Sequence, residues 1–315
     1  MIPHNRPTIE SEDYKAVDRV LKSRQLSQNS EVLKFEEEFE KYLGLKNGSA
    51  VAVSNGTSAL YLALYFLNAK NKKVIFPAYS CSSLAHATKL ACGKADLKDI
   101  EKNSTNMSIH HGKSGEIVIY PQMYGNISKL VLKKKVSIIE DACQSLGGKV
   151  DKVHSGLQGN VGIFSFYATK MITTAGQGGM IVSKNTAFIK EIKDFLNFDM
   201  RKDKNFRFNF QMIDIQAAMG RTQLKRLNSF IKIRKKIFNL YKSLDLNLLT
   251  TNKDEKKIRT VPYRCIMLCK NPKKVVKKFR ENKIQVINPL ESWELLGNSN
   301  NFQNSKKLTQ QTISL

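Results

Sequence analysis

Over its first two thirds the chain alternates short, continuously apolar runs with segments of helical periodicity, and this alternation restricts its fold more than any other feature. "SAVAVSN" (49–55) reads as a strand, and "TSALYLALYFLN" (57–68) as a helix with Leu60, Ala63, Leu64 and Leu67 on one face. "KKVIFPAYS" (72–80) predicts the next strand and "SSLAHATKLA" (82–91) the next helix. "GEIVIYPQMYG", "KVSIIEDACQS", "NVGIFSFYA" and "GGMIVSK" complete the strands. A strand that is apolar along its whole length, rather than at alternate positions, is covered on both faces. The pattern therefore predicts an α/β fold, a mainly parallel central sheet with helices on both faces. Ligands of such sheets collect at the carboxyl ends of the strands.

The texture changes after Gln211. "MIDIQAAMGRTQLKRLNSFIKIRKKIFNLYKSL" places Ile213, Ala217, Leu224 and Leu227 at helical spacing, "TVPYRCIMLCK" reads as a strand and "KKVVKKFREN" as a basic helix. This divides the chain into a large unit, 1–230, and a smaller C-terminal α/β unit, 231–315. Lys and Arg outnumber Asp and Glu by 52 to 27, a net charge of +25. The basic residues come in short groups, "LKKK" (132–135), "KIRKK" (232–236) and "PKKVVKKFR" (272–280), which fits a solvated surface better than a nucleic-acid-binding arm. No aromatic–basic motif, helix-turn-helix signature or zinc spacing supports a nucleic-acid partner. The five cysteines, Cys81, Cys92, Cys143, Cys265 and Cys269, form no C-x-x-C pair, which fits a reducing, cytoplasmic setting. Cys265 and Cys269 are expected in the core. "MIPHNRPTIE" is neither a signal peptide nor an anchor, and no apolar run approaches the roughly 20 residues of a membrane span. No His, Cys and Asp spacing predicts a metal site.

Three strand ends carry residues capable of chemistry. In "SNGTSAL", Gly56, Thr57 and Ser58 stand where a strand meets a helix N-terminus, whose unpaired amides and dipole suit an anion. A plain helix cap explains the same residues. "IIEDACQS" ends an apolar strand with Glu140, Asp141 and Gln144. A carboxylate this deep needs a cationic partner, either a lysine or the protonated ring nitrogen of a cofactor. "GIFSFYATKMITTAGQGGMIVS" holds one lysine, Lys170, inside an uncharged run. Between apolar walls its pKa is expected to fall from about 10.4 toward neutrality, which makes the amine a nucleophile toward aldehydes. An anion site, a deep carboxylate and a buried amine together match pyridoxal phosphate group by group.

The sequence also resembles a family, the nucleotide-sugar aminotransferases of DegT/DnrJ type, within the aspartate-aminotransferase fold. The resemblance is carried by "RPTIESEDYKAVDRVLKSRQLSQNSEVLKFEEEFEKYLG", "VAVSNGTSALYLAL", "VIFPAYSCSSLAHA", "IIEDACQSLGG", "GNVGIFSFYATKMITTAGQGGMIVS" and "FRFNFQMIDIQAAMGRTQLKRL". It implies a fold type I transferase that uses pyridoxal 5'-phosphate. Lys170 would be the Schiff-base lysine, Asp141 would pair with the pyridine nitrogen, and Gln144 would sit beside the ring. Thr57, Ser58 and Ser165 would hold the phosphate. Asn209 would reach it from the neighbouring subunit of a homodimer with shared active sites. The implied reaction moves an amino group from an amino acid, usually glutamate, to a nucleotide-diphosphate keto-sugar, in amino-sugar biosynthesis for a surface polysaccharide or similar glycan.

The chain departs from the family pattern at several positions. Cys81 stands where an aromatic often stacks on the ring, Gln177 where a glutamate is usual, Gln211 where a basic residue is common, and Glu291 where a histidine is frequent. Family members continue past the position of Leu315, which predicts a shortened small unit. Two other readings on the same scaffold are a sugar dehydratase, typically with histidine at the lysine position, and a non-catalytic relative. His86 is expected to be packed or half-exposed, His110 and His111 solvated, and Trp293 a packing residue of the small unit. His154 has a minor claim as a substrate contact.

Overall fold

In the computed structural model, residues 1–249 and 257–315 are described. Two amphipathic helices come first, α1 (Ser11–Ser23) and α2 (Ser30–Leu43). The sheet region follows as β1 (Ala50–Val53), α3 (Gly56–Phe66), β2 (Lys73–Pro77), α4 (Ser83–Leu90), β3 (Lys94–Lys98), β4 (Ile117–Pro121) and β5 (Ser137–Asp141). A small hairpin, β6 (Lys149–Val150) and β7 (Val153–His154), leads into β8 (Val161–Ser165), β9 (Gly179–Val182) and α5 (Thr186–Leu196). The remainder is α6 (Asp214–Ser243), β10 (Ile258–Arg259), β11 (Ile266–Leu268), α7 (Pro272–Glu281), α8 (Gln303–Gln311) and β12 (Thr312–Ser314).

The main sheet has the order β1-β9-β8-β5-β4-β2-β3. The pairs β2–β3, β2–β4, β4–β5 and β5–β8 are parallel, whereas β9 runs antiparallel to both β8 and β1. The sheet is thus mainly parallel, as the unbroken apolar strands predict, with one reversed strand. The reversal has a local cause: the 166–178 segment forms no helix and folds back on itself, with the Phe166 amide donating to Gly178 O and the Ala168 amide to Gly176 O, so it returns the chain beside β8 as a hairpin does. One face of the sheet packs against α3, α4 and α5 through residues such as Leu62, Leu64, Val74, Ile119, Ile163 and Ile192. The other packs against α2 and α6, where Phe35, Phe39, Phe164 and Phe166 meet edge to face with centroids 5.0–6.0 Å apart. β3 (KADLK) escapes the sequence reading because it is polar and lies at the sheet's edge.

The opposite edge, β1, is closed by side chains. Glu40 Oε1 accepts from the Ser49 and Ala50 amides at 2.7 Å each, and Glu36 Oε1 accepts from the Ala52 amide at 2.8 Å. Lys193 on α5 pairs with the other Glu36 oxygen at 2.6 Å. Two buried carboxylates on α2 thus take the place of a further strand, and the edge cannot template another chain. α2 is itself capped from a distance: the Asp214 carboxylate accepts from the Asn29, Glu31 and Val32 amides.

α6 runs through position 230 without a break, and its last buried residue is Ile231. Beyond it, β11 and β12 pair antiparallel, so the segment ending at Leu315 is part of an ordered sheet. Their core joins Ile266, Leu290, Leu295 and Leu308 to Tyr79, Met123 and Tyr124, which lie just past the carboxyl ends of β2 and β4. The C-terminal unit therefore sits directly over the edge where a ligand is expected. Cys265 is buried and Cys269 half-buried. Trp293, expected to pack this unit, is instead 81% exposed, because it lies in a single 3-10 turn with no buried residue.

Candidate active site

β1, β5 and β8 point their carboxyl ends the same way, and β9 starts there. The register sets Val53 opposite Gly179, Gly179 opposite Ser165, and Asp141 opposite Ile163. Along this edge lies a cleft of about 650 Å³, large enough for a cofactor-sized molecule. Thr57, Ser58, Cys81, Asp141, Gln144, Ser165 and Lys170 all line it. Seven of the eight residues singled out in the sequence thus converge from five chain segments. Asn209 does not line the cleft of its own chain: it is exposed, and its Oδ1 accepts from the Gln211 amide at 3.1 Å.

The N-terminus of α3 forms one end of the cleft. Asn55 caps it, with Oδ1 accepting from the Ser58 amide at 2.8 Å. This leaves the first-turn amides of Gly56 and Thr57 without an intrahelical partner. A Cβ on Gly56 would stand 2.9 Å from Ser165 Cβ, so only glycine lets the helix end approach that hydroxyl so closely. Amides, hydroxyls and dipole together make an anion site.

Asp141 forms the floor. It is 8% exposed, and its Oδ1 accepts from the Cys143 amide at 3.0 Å. Burial raises its pKa, against the pull of Cys143 and Lys170. Gln144 is oriented by a backbone contact: its Oε1 accepts from the Tyr124 amide at 2.8 Å, so its NH₂ is left to donate. Tyr124 makes this bond from a left-handed conformation, φ 57°, uncommon for a residue with a side chain.

Lys170 is held by the 166–178 loop. The Phe166 amide donates to Gly178 O, the Ala168 amide to Gly176 O and the Lys170 amide to Tyr167 O. Met171 and Ile172 are buried behind it, and the loop turns through Ala175 (φ 57°) and Gly176 (φ 110°). Lys170 Nζ lies 5.5 Å from the ring centroid of Tyr263, a residue of the C-terminal unit. The expected fall in its pKa is not found. Burial works to lower it, but the acidic groups around it, Tyr263 first and then Cys143, Asp141 and Cys81, outweigh burial and hold it above the ordinary value. The sequence reading offered a lysine as partner of the deep carboxylate, but for the pKa it counted the apolar walls and not Tyr263 or Cys143.

Cys143 and Tyr263 escape the sequence reading as site residues. Cys143 follows Asp141 by two and is signalled by that spacing; nothing in the sequence places Tyr263 beside Lys170. His86 lines the cleft, whereas His154 lies buried on β7 against Tyr42 and outside it. Among the described residues no cluster of His, Cys, Asp and Glu could hold a metal.

A family model described as the DegT/DnrJ/EryC1/StrS aminotransferase family matches residues 7–315. The chain belongs to this family. DegT/DnrJ-type aminotransferases depend on pyridoxal phosphate, and the cleft fits that group: a half-buried amine, a buried carboxylate and a helix end for a phosphate line one cavity. Relatives include the UDP-4-amino-4,6-dideoxy-N-acetyl-beta-L-altrosamine transaminase of Campylobacter jejuni, 29% identical over 76% of this chain and 69% of its own. The GDP-perosamine synthase of Vibrio cholerae is also 29% identical, over 77% and 70%. Among solved structures, the PMP form of a putative sugar aminotransferase from Streptococcus pneumoniae superposes with a TM-score of 0.89 at 18% identity, covering 100% of this chain and 94% of its own. The E. coli GDP-4-keto-6-deoxy-D-mannose-3-dehydratase with bound hydrated PLP gives 0.86 at 21%, covering 100% and 94%. These two likenesses establish the shared fold.

Proposed function

We propose that this chain is a pyridoxal-phosphate-dependent aminotransferase that moves an amino group from an amino acid, glutamate, to a keto-sugar carried on a nucleotide diphosphate, for the amino sugars of a surface glycan. The reading is supported most by one juxtaposition: a half-buried lysine and a deeply buried aspartate line the same cleft of a DegT/DnrJ-type chain. Bound pyridoxal phosphate supplies an aldehyde for the amino group and a ring that draws electrons from the substrate carbon. Thr57, Ser58, Ser165 and the first amides of α3 hold the phosphate end, and Gln144 donates beside the ring. Asp141, as a carboxylate, keeps the ring nitrogen protonated. Pairing with the ring nitrogen would occupy one of the groups that hold the Lys170 pKa up. Lys170, as a neutral amine, would take a proton from the donor's α-carbon and hold it for return. Asn209 is proposed to act across a homodimer interface, and the division at 230/231 to separate the two lobes.

The dehydratase likeness keeps a second reading open, since that enzyme shares the fold. Lys170 favours amine transfer, because such dehydratases typically place a histidine there. Purified protein with pyridoxal phosphate is expected to turn yellow, and borohydride is expected to fix the cofactor on Lys170. Keto-sugar nucleotides incubated with ¹⁵N-glutamate are expected to gain the label. A Lys170 peptide left unmodified at saturating cofactor overturns the reading; loss of a sugar hydroxyl without label uptake favours the dehydratase.

A further inference from the structure

Tyr79 and Tyr124 stand behind the cleft, and neither lines it. Tyr79 follows the end of β2, Tyr124 lies in the turn after β4, and the two are buried, 0% and 3% exposed. Their hydroxyls hydrogen-bond at 2.9 Å, and their rings meet edge to face with centroids 6.2 Å apart. A tyrosine hydroxyl buried this deeply needs a partner, and here each hydroxyl has the other.

The C-terminal unit grips this pair at both members. The Leu296 amide donates to Ala78 O at 3.1 Å, next to Tyr79, and the Val261 amide donates to Gly125 O at 3.3 Å, next to Tyr124. Leu290, Leu295 and Leu308 pack in one buried cluster with both tyrosines. Held in this way, Tyr124 keeps a left-handed backbone, φ 57° and ψ 15°, which persists in a residue with a side chain only where its surroundings impose it. That conformation aims the Tyr124 amide at Gln144 Oε1, 2.8 Å away. With its carbonyl oxygen spent on a backbone amide, Gln144 has only its NH₂ to offer the cleft.

We infer that Tyr79 and Tyr124 are positioning residues for the cofactor: their hydroxyl pair locks the turn that fixes the side-chain amide of Gln144, and so passes the seating of the C-terminal unit on to the ring of bound pyridoxal phosphate. The inference rests on the reading above, in which Gln144 donates beside that ring. The tyrosines act only through Gln144.

A double-mutant cycle, read by absorbance titration of the cofactor-free protein with pyridoxal phosphate, tests this. Tyr79→Phe removes one hydroxyl and keeps the ring. It is expected to weaken cofactor binding about three- to tenfold, as for loss of one net hydrogen bond. It is also expected to move the pH midpoint of the bound cofactor's colour in the same direction as Gln144→Ala does. Added to Gln144→Ala, the same substitution is expected to change the affinity by less than about 1.5-fold, because the group it positions is gone. Equal weakening in both backgrounds overturns the inference and makes the pair structural. Full affinity in Tyr79→Phe with Gln144 present overturns it too. Tyr124→Phe carries the same cycle if Tyr79→Phe does not fold. Hydrogen exchange needs neither variant: the Tyr124 amide is expected to exchange faster in Gln144→Ala than in the unmodified chain, and an equal rate overturns the inference. Borohydride labelling of Lys170 is the separate control. Normal labelling with additive losses removes only the role of the tyrosine pair, whereas absent labelling in the unmodified chain removes the cofactor reading itself.

Discussion

Asp141 has a cost in the free chain that function repays. Burial raises its pKa, so holding it as an anion at neutral pH opposes folding. Asp141→Asn keeps the shape, removes the buried charge and still accepts from the Cys143 amide. Its cofactor-free form is expected to melt no lower than the original chain, while transamination falls about 10²–10³-fold, as for loss of one preorganised electrostatic contact. Scanning calorimetry and a coupled assay check the two halves; a loss of stability with activity intact would make Asp141 structural. Lys170→Ala is expected to abolish both borohydride fixation and turnover, checked by peptide mass spectrometry. Cys81, exposed at the cleft with Sγ 3.3 Å from Ser83 Oγ, offers a smaller contact to a ring than an aromatic would.

At the scale of elements, the sheet depends on side chains at its β1 edge and on close approach past the carboxyl end of β4. Glu40→Ala strips the acceptor from two buried amides of the β1 edge, an expected loss of about 2–5 kcal/mol. Glu40→Gln keeps one oxygen and is expected to cost clearly less. Urea unfolding of the two variants measures the difference. Gly125 presents the opposite case. A Cβ there would lie 1.6 Å from Val261 O, at φ +81°. Gly125→Ala must push apart the β4 loop and the C-terminal unit, with an expected cost of about 3 kcal/mol or more. Because the same loop orients Gln144 through Tyr124, weaker cofactor binding is expected with it.

For the whole molecule, pH and charge set the stability. His154 is buried beside Lys149 and Arg259 with Nδ1 unpartnered, and burial followed by those charges lowers its pKa to about 4. The unfolded chain binds a proton there near 6.5, so between 6.5 and 4 the unfolded state holds more protons than the folded one. Stability is therefore complete above 6.5 and declines as pH falls toward 4. His154 is expected to account for about 1–2 kcal/mol of loss between pH 7.5 and 5. His154→Gln flattens that part of the profile, as read by urea midpoints at the two pH values. The net charge of +25 adds self-repulsion, which added salt is expected to relieve.

What the sequence determines by itself is whatever is encoded locally. Unbroken apolar runs mark buried strands, Gly56, Thr57 and Ser58 mark a helix start, and the blocks around Asp141 and Lys170 mark the chemistry. These need only neighbours within a few residues; the further candidates came from the family resemblance, and seven of the eight residues named line one cleft. The tertiary structure alone decided the rest. The raised pKa of Lys170, the approach of Tyr263 to Lys170 and the Lys193–Glu36 pair behind β1 join residues far apart in the chain. Their energies depend on burial and on through-space distance, which linear order does not carry.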